Sequence, residues 1–466
     1  MPDENRRGRS AAESPEDVAD QDRMTVEADV AVPPAALVRR GWVAGTFESF
    51  RHRDFTLFWS GALVSNVGSW MQNAALALVV YALQPARASF NTGLVQGLAG
   101  LPVLFLAIPA GAVADRVDRR KLLVWIQVVL LLQAGAIGIL YDTHVLSPQH
   151  ALLSLALVGG LGLVGGIFVA FQGPAFQSIL PDLVPRESLM NGIALNSAQL
   201  QSSRMLGPAI VGAMVLAGAG MGLVFYINAL SFLFVIAALL AIKPRAEFKA
   251  GHSTEATRSA EAAAGAWKTL TAGIGYAREH RSVGLLILTT ALLVFLGFPY
   301  MIILTAVIHA RFPAGNVSQL YSIVYMFNGM GALIGSLAIA GLPSTIDRNR
   351  VIPLTLLAFA ALLVAFSFAP TLPIMAVCSV LAGAAYISTS SLVMTSIQSS
   401  VPGYLRGRVM ALFMMAFMGV MPLSAFAFGP IGQAIGPDTA VLVGAVALGA
   451  WALLLALRPA WLRASD

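Results

Sequence analysis

Residues 222–242 read GLVFYINALSFLFVIAALLAI, a run without a single charged side chain. At 1.5 Å of rise per residue, a helix needs roughly 20 such residues to cross a hydrocarbon core about 30 Å thick. Continuous apolarity, in place of apolar/polar alternation, excludes a strand of a membrane barrel. A helix at the surface of a soluble domain would carry a charged face, and this run has none. It predicts a membrane-spanning helix.

Similar runs lie on both sides of it. Spanning helices are expected at 55–82, 93–114, 121–141, 151–172, 189–217, 222–242, 284–309, 318–341, 351–369, 372–396, 408–428 and 438–457. The composition agrees: 57% of the 466 residues are hydrophobic and 11% are charged, far from the balance of a soluble chain. The longest polar interruption, Lys243 to Ser282, leaves six runs before it and six after it. The expected fold is an all-α membrane protein with twelve transmembrane helices in two six-helix pseudo-symmetric bundles. Its parts are a disordered tail (1–40), a first bundle (41–242), a central loop (243–282), a second bundle (283–457) and a short tail (458–466). An internal echo supports the repeat. Val184-Pro185 is followed by Ala194-Leu195, and Val401-Pro402 by Ala411-Leu412 at the same offsets; each copy then reaches a Gly-Pro pair, Gly207-Pro208 and Gly429-Pro430.

Lysine and arginine accumulate in cytoplasmic loops. With a cytoplasmic N-terminus, all of the 29 Lys and Arg fall on the inner side except Arg87, Arg311 and Arg204. Both termini are therefore expected in the cytoplasm and the chain in the cytoplasmic (inner) membrane. The same bias explains the isoelectric point near 9.7, so no nucleic-acid partner is expected, only the lipid bilayer and a small-molecule substrate, with the chain as a monomer. The lone cysteine, Cys378, excludes an intramolecular disulfide and a Cys-based metal cluster. The six histidines fall in loops or at helix ends, so no buried catalytic dyad and no enzyme activity are expected.

The most specific local motif is GAVADRVDRRKLL, residues 111–123. A positive-inside loop accounts for its bases. Gly111 four residues before Asp115 at a helix end is different: the glycine permits close helix approach, and the acid can hold an arginine or face a helix N-terminus. This Gly-x-x-x-Asp-Arg-x-x-Arg-Arg loop, with twelve helices in two halves, resembles the major facilitator superfamily, whose members alternate between inward-open and outward-open states. The resemblance implies a conformational latch made by Gly111, Asp115, Arg116, Arg119 and Arg120. Asp118 stands where the family pattern has glycine. The second-half counterpart STIDRNR (344–350) retains only Asp347, Arg348 and Arg350.

Three further stretches, FWSGALVSNVGSWMQ (58–72), PDLVPRESLMNGIALNSAQLQSSRMLGPAIVG (181–212) and LRGRVMAL (405–412), resemble the subgroup that contains the enterobactin exporter and macrolide-efflux proteins. The Gly207-Pro208 pair, expected to kink helix five, is similar to a motif associated with exporters. By resemblance, export is implied.

Arg204 lies about fifteen residues into helix five, roughly 22 Å along its axis. A charge at mid-membrane costs on the order of 3 kcal/mol, so it must face protein or water. Asn196, Gln199, Ser203 and Gly207 form one stripe of that helix; Ser197, Gln201, Arg204 and Pro208 form the next. Pro208 has no N–H for the carbonyl of Arg204, leaving an acceptor free. Asn66, Ser69, Gln72 and Asn73 add a polar arc on helix one. The candidate substrate cavity or gate is therefore Arg204, Asn196, Gln199, Gln201, Asn66, Ser69, Gln72 and Asn73. The alternative is that Arg204 only ties helices together.

None of the 23 Asp and Glu residues falls deep inside an expected helix. No phosphate-cradling loop is present either. Secondary transport without a cofactor is expected, with the proton gradient as candidate driving force and the coupling group open. The expected function is export of small amphipathic molecules of drug or siderophore type by alternating access. An importer or facilitator on the same fold, or a non-transporting receptor or scaffold, are the alternatives.

Overall fold

A computed structural model describes residues 47–242, 273–340, 346–458 and 461. Helices account for the architecture: α1 (Arg53–Leu83), α2 (Ala88–Arg116), α3 (Arg119–Asp142), α4 (Ala151–Leu183), α5 (Leu189–Leu216), α6 (Met221–Ala241), a segmented α7 (Arg281–Gly297, Pro299–Ile302 and Leu304–Arg311), α8 (Val317–Ala340), α9 (Arg348–Ser367), α10 (Leu372–Ser400), α11 (Gly403–Met414, a π-helical turn Met415–Gly419, and Val420–Ile435) and α12 (Pro437–Leu457). They pack into one compact unit that begins at Ser49.

Among the described residues, eleven helical stretches are long and apolar enough to cross a membrane, and the protein is a multi-pass membrane protein. The helix outside that set is α5, whose stretch from Leu189 to Arg204 carries Asn191, Asn196, Ser197, Gln199, Ser202, Ser203 and Arg204. A helix that polar persists in a bilayer only when its polar face meets protein or water.

The helix pairs repeat. In the first half α2 packs on α4, α3 on α6 and α4, and α1 on α5 and α6; in the second half α8 packs on α10, α9 on α12 and α10, and α7 on α11 and α12. Adding six to each index carries one set into the other. Two extensive crossings join the halves, α2 on α11 and α5 on α8, and the same operation exchanges them. The Gly-Pro pairs fall on the equivalent helices α5 and α11, as the sequence echo requires.

Three helices depart from their expected course. α4 continues to Leu183, eleven residues past the expected limit, with Pro174 and Pro181 inside it. α7 is broken instead of continuous. Pro299 lacks an N–H, so the carbonyl of Phe295 loses its helical donor; Ser424 Oγ of α11 donates to that carbonyl at 2.8 Å. α11 runs on to Ile435 and carries the π-helical turn near its middle, a feature often found at functional sites.

Candidate functional site

The site begins with Arg204. The residue is only 8% exposed, and its Nε has no hydrogen-bond partner among the described residues. No carboxylate there pairs with it. Instead, the guanidinium carbon lies 5.6 Å from the centroid of Trp70, 5.9 Å from Phe298 and 5.9 Å from Tyr386. All three distances are within cation–π range, worth about 0.5–2 kcal/mol each depending on desolvation. A cation from α5 thus lies beside one ring each from α1, α7 and α10.

Local sequence explains the reach. Gly207 lets α5 lie against α1: a Cβ there would come within 2.5 Å of Trp70 Cβ and 2.8 Å of the Met71 nitrogen. Helix α5 passes through Gly207 and Pro208 as one continuous element. The carbonyl that Pro208 frees, that of Arg204, faces Gly329 of α8, where a Cβ would lie 3.1 Å from it. The free acceptor therefore sits at the crossing between the halves. The rings around Arg204 continue into the second half: Tyr386 lies 5.6 Å from Phe359 and 6.2 Å from Phe417, which sits in the π-helical turn.

The other expected site residues separate into groups. Gln199 is buried, and both polar atoms of its amide lack a partner among the described residues. Asn196 and Asn66 are half-buried, and Asn73 is exposed. Ser69 Oγ donates back to the Ser65 carbonyl at 3.0 Å. The Gln201 side chain lies outside the described residues.

Gln72 points away from Arg204, into the first half. Asn228 Nδ2 of α6 donates to its Oε1 at 2.8 Å, its Nε2 donates to Gln133 Oε1 of α3 at 3.2 Å, and Gln133 Nε2 donates to the Leu161 carbonyl of α4 at 3.3 Å. This relay ties four helices of the first half. Gln72 lies about 120° around the helix from Asn66, which the 100° periodicity already implies. Replacing Gln72 with leucine strands two buried amide groups. A loss of about 1–2 kcal/mol is expected, read as a lowered melting temperature of the purified protein with little change in membrane abundance.

One end of the bundle carries a cluster of residues outside the expected site. Tyr81 Oη at the end of α1 and His309 Nδ1 at the end of α7 are 2.9 Å apart. Gln433 Nε2 of α11 donates to the Ala86 carbonyl at 3.0 Å. Both contacts join the halves. Two residues beyond His309, Arg311 donates from Nη1 to the carbonyls of Phe366 (2.7 Å) and Ala369 (3.2 Å), and from Nη2 to the Ser367 carbonyl and the Asp438 carboxylate. A cation at the C-terminus of α9 and an acid in the first turn of α12 are both favoured by the helix dipoles. The sequence signal was available, since Arg311 is one of two bases on the side that lysine and arginine avoid.

Of the latch residues, the side chains of Gly111, Asp115 and Arg116 lie outside the described residues. Arg119 Nη1 is 4.0 Å from Asp182 Oδ2 at the end of α4, and Arg120 Nη2 donates to the Leu240 carbonyl near the end of α6 at 2.6 Å. Asp118, the departure from the family pattern, caps α3 by accepting from the backbone N–H of Arg120 (3.0 Å) and Lys121 (3.2 Å). Asp347 caps α9 in the same way, accepting from the Asn349 N–H at 3.1 Å, and its Oδ2 is 3.3 Å from Arg350 Nε. Asp347 therefore stands where Asp118 stands in the first half. Arg348 opens α9 beside it.

A family model described as a transmembrane secretion effector matches residues 44–463, and the chain belongs to this family of major facilitator superfamily transporters. It is 25% identical over 370 residues to the staphyloferrin A transporter of Staphylococcus aureus (strain NCTC 8325 / PS 47), covering 79% of this chain and 87% of that one. It is 22% identical over 424 residues to the enterobactin exporter EntS of Citrobacter koseri, covering 90% and 95%. Among solved structures it shares the fold of the xylose transporter XylE from E. coli in its inward open conformation (TM-score 0.62, 13% identity, 88% of this chain and 97% of that one). It also shares the fold of a POT family transporter in complex with a thioalcohol conjugated peptide (TM-score 0.65, 11% identity, 88% and 97%). The relatives are transporters and not enzymes.

Proposed function

We propose that the chain exports small amphipathic molecules of the drug or siderophore type across the inner membrane by alternating access, with both termini in the cytoplasm. The observation that carries this reading is the distribution of contacts between the halves. From the level of Arg204 the α5–α8 crossing runs toward one end, through Gly329 against Met205 and Gly212 against Ser322. The Tyr81–His309 and Gln433–Ala86 bonds close that same end. With the basic loops inside, the closed end is the outer one. Rocking of the halves about these crossings would then present the level of Arg204 to one side at a time.

Export, in preference to import, is supported by the Gly207-Pro208 pair and by the name of the enterobactin exporter relative. The chain acts as a monomer with no cofactor, and the proton gradient supplies the energy. The test is accumulation of a panel of dyes, macrolides and siderophores in cells with and without the protein, repeated after the proton gradient is collapsed. The expected result is several-fold lower accumulation of at least one compound, abolished by the uncoupler. Net uptake would reverse the direction, and no change for any compound would remove the transport reading.

A further inference from the structure

We propose that Arg204 and the rings around it form a binding site for an organic anion that carries a planar aromatic ring beside its anionic group. The inference rests on the transport reading and names the substrate class for it. Three observations converge.

The first is an unneutralised cation. Arg204 is more than nine-tenths buried, its Nε is unpaired, and no carboxylate meets it among the described residues. Cation–π contacts offset part of its desolvation but satisfy none of its five N–H donors in the plane of the guanidinium. That planar fork matches a carboxylate bidentately.

The second is the wall. Trp70, Phe298 and Tyr386 all lie within 6 Å of the guanidinium carbon, so the surface next to the charge is aromatic. A ring held beside an anionic group would pack against these faces and edges. Tyr386 also brings a hydroxyl donor to this wall.

The third is where the groups come from. Arg204 and Trp70 belong to α5 and α1; Phe298 and Tyr386 belong to α7 and α10. An anion bound here is gripped by both halves at once. That is what a ligand must do to bias the equilibrium between two arrangements of them.

The test uses the full-length protein in lipid nanodiscs and three probes: salicylate, its neutral amide salicylamide, and cyclohexanecarboxylate, an anion without an aromatic ring. Binding is followed by tryptophan fluorescence, with Trp70→Phe identifying the signal of the indole in the cage. Salicylate should bind at least 10-fold more tightly than either comparator. Arg204→Gln should lose at least 10-fold, as for a charge-assisted bond, Arg204→Lys should lose less, and Tyr386→Phe, which keeps the ring, about 3-fold. Melting temperatures of the variants guard against misfolding. Equal affinity for salicylate and salicylamide, or unchanged salicylate affinity in folded Arg204→Gln, would overturn the proposal. Failure of the transport reading looks different: selective binding of salicylate with no efflux of any compound from cells keeps the site and discards the exporter.

Discussion

Replacing Gly331 with valine is expected to remove nearly all folded protein from the membrane. Helices α8 and α10 approach so closely that a Cβ at Gly331 would lie 1.8 Å from the Val380 carbonyl oxygen and 2.6 Å from its carbon. The obstacle is backbone, so no rotamer change relieves it. Gly335, one turn along, meets Ala384 in the same way, with 2.4 Å to its carbonyl oxygen. This Gly-x-x-x-Gly face is the small-residue packing by which helices associate in lipid, where no hydrophobic drive acts between them. Separating the pair also pulls Asn328 from the Ser379 carbonyl, which it reaches at 3.3 Å. Overpacking at its upper end costs about 3 kcal/mol, and a lost buried hydrogen bond adds about 1. Against a total stability on the order of 5–15 kcal/mol, this is a large fraction. Fluorescence-detected size-exclusion of a tagged variant should show a collapse of the monodisperse peak; an unchanged peak would mean that the helices can part at little cost.

Gly93→Val should behave in the opposite way, with folded protein retained and transport lost. Gly93 belongs to the α2–α11 crossing, where a Cβ would come within 2.5 Å of the Ala425 carbonyl oxygen and 2.6 Å of the Gly429 Cα. The crossing joins the two halves, and the packing within each half does not pass through it. A wedge here should therefore hold the halves apart at the end closed by Tyr81 and His309 while each half stays intact. Transport at equal membrane abundance should fall by at least 10-fold, and the melting temperature by only a few degrees. Transport within 2-fold of the parent would show that this crossing need not close during the cycle. Loss of both abundance and transport would assign Gly93 to stability alone.

The legibility of the site differed from residue to residue. Arg204 was legible because physics forbids a lone charge at mid-membrane from facing lipid, so its place in the protein interior followed from its position in the run. Its cage was not. Trp70 and Tyr386 lie far from it in the chain, and an aromatic residue in an apolar helix has no local pattern that marks it as a cation's partner. Pro299 marks the break in α7, but apolarity continues on both sides of it, so hydropathy alone runs straight through. Gln72 belongs to the same polar arc of α1 as Asn66, Ser69 and Asn73, yet it lies at the edge of that arc and meets α3 and α6 instead.

What the sequence by itself determined was the number of helices, their division into six and six, and the membrane as solvent. Those follow from local quantities: the length of apolar runs, the spacing of polar loops and the cost of charge in hydrocarbon. Tertiary structure alone decided which polar groups satisfy one another inside a half and which converge between halves. Asn228 reaches Gln72 and Gln133 reaches Leu161, so those amides stabilise the first bundle. Arg204 finds rings but no acid. The physical reason is that hydropathy fixes where a residue sits along the membrane normal, whereas its rotation toward a neighbour is set by close helix crossings at glycine.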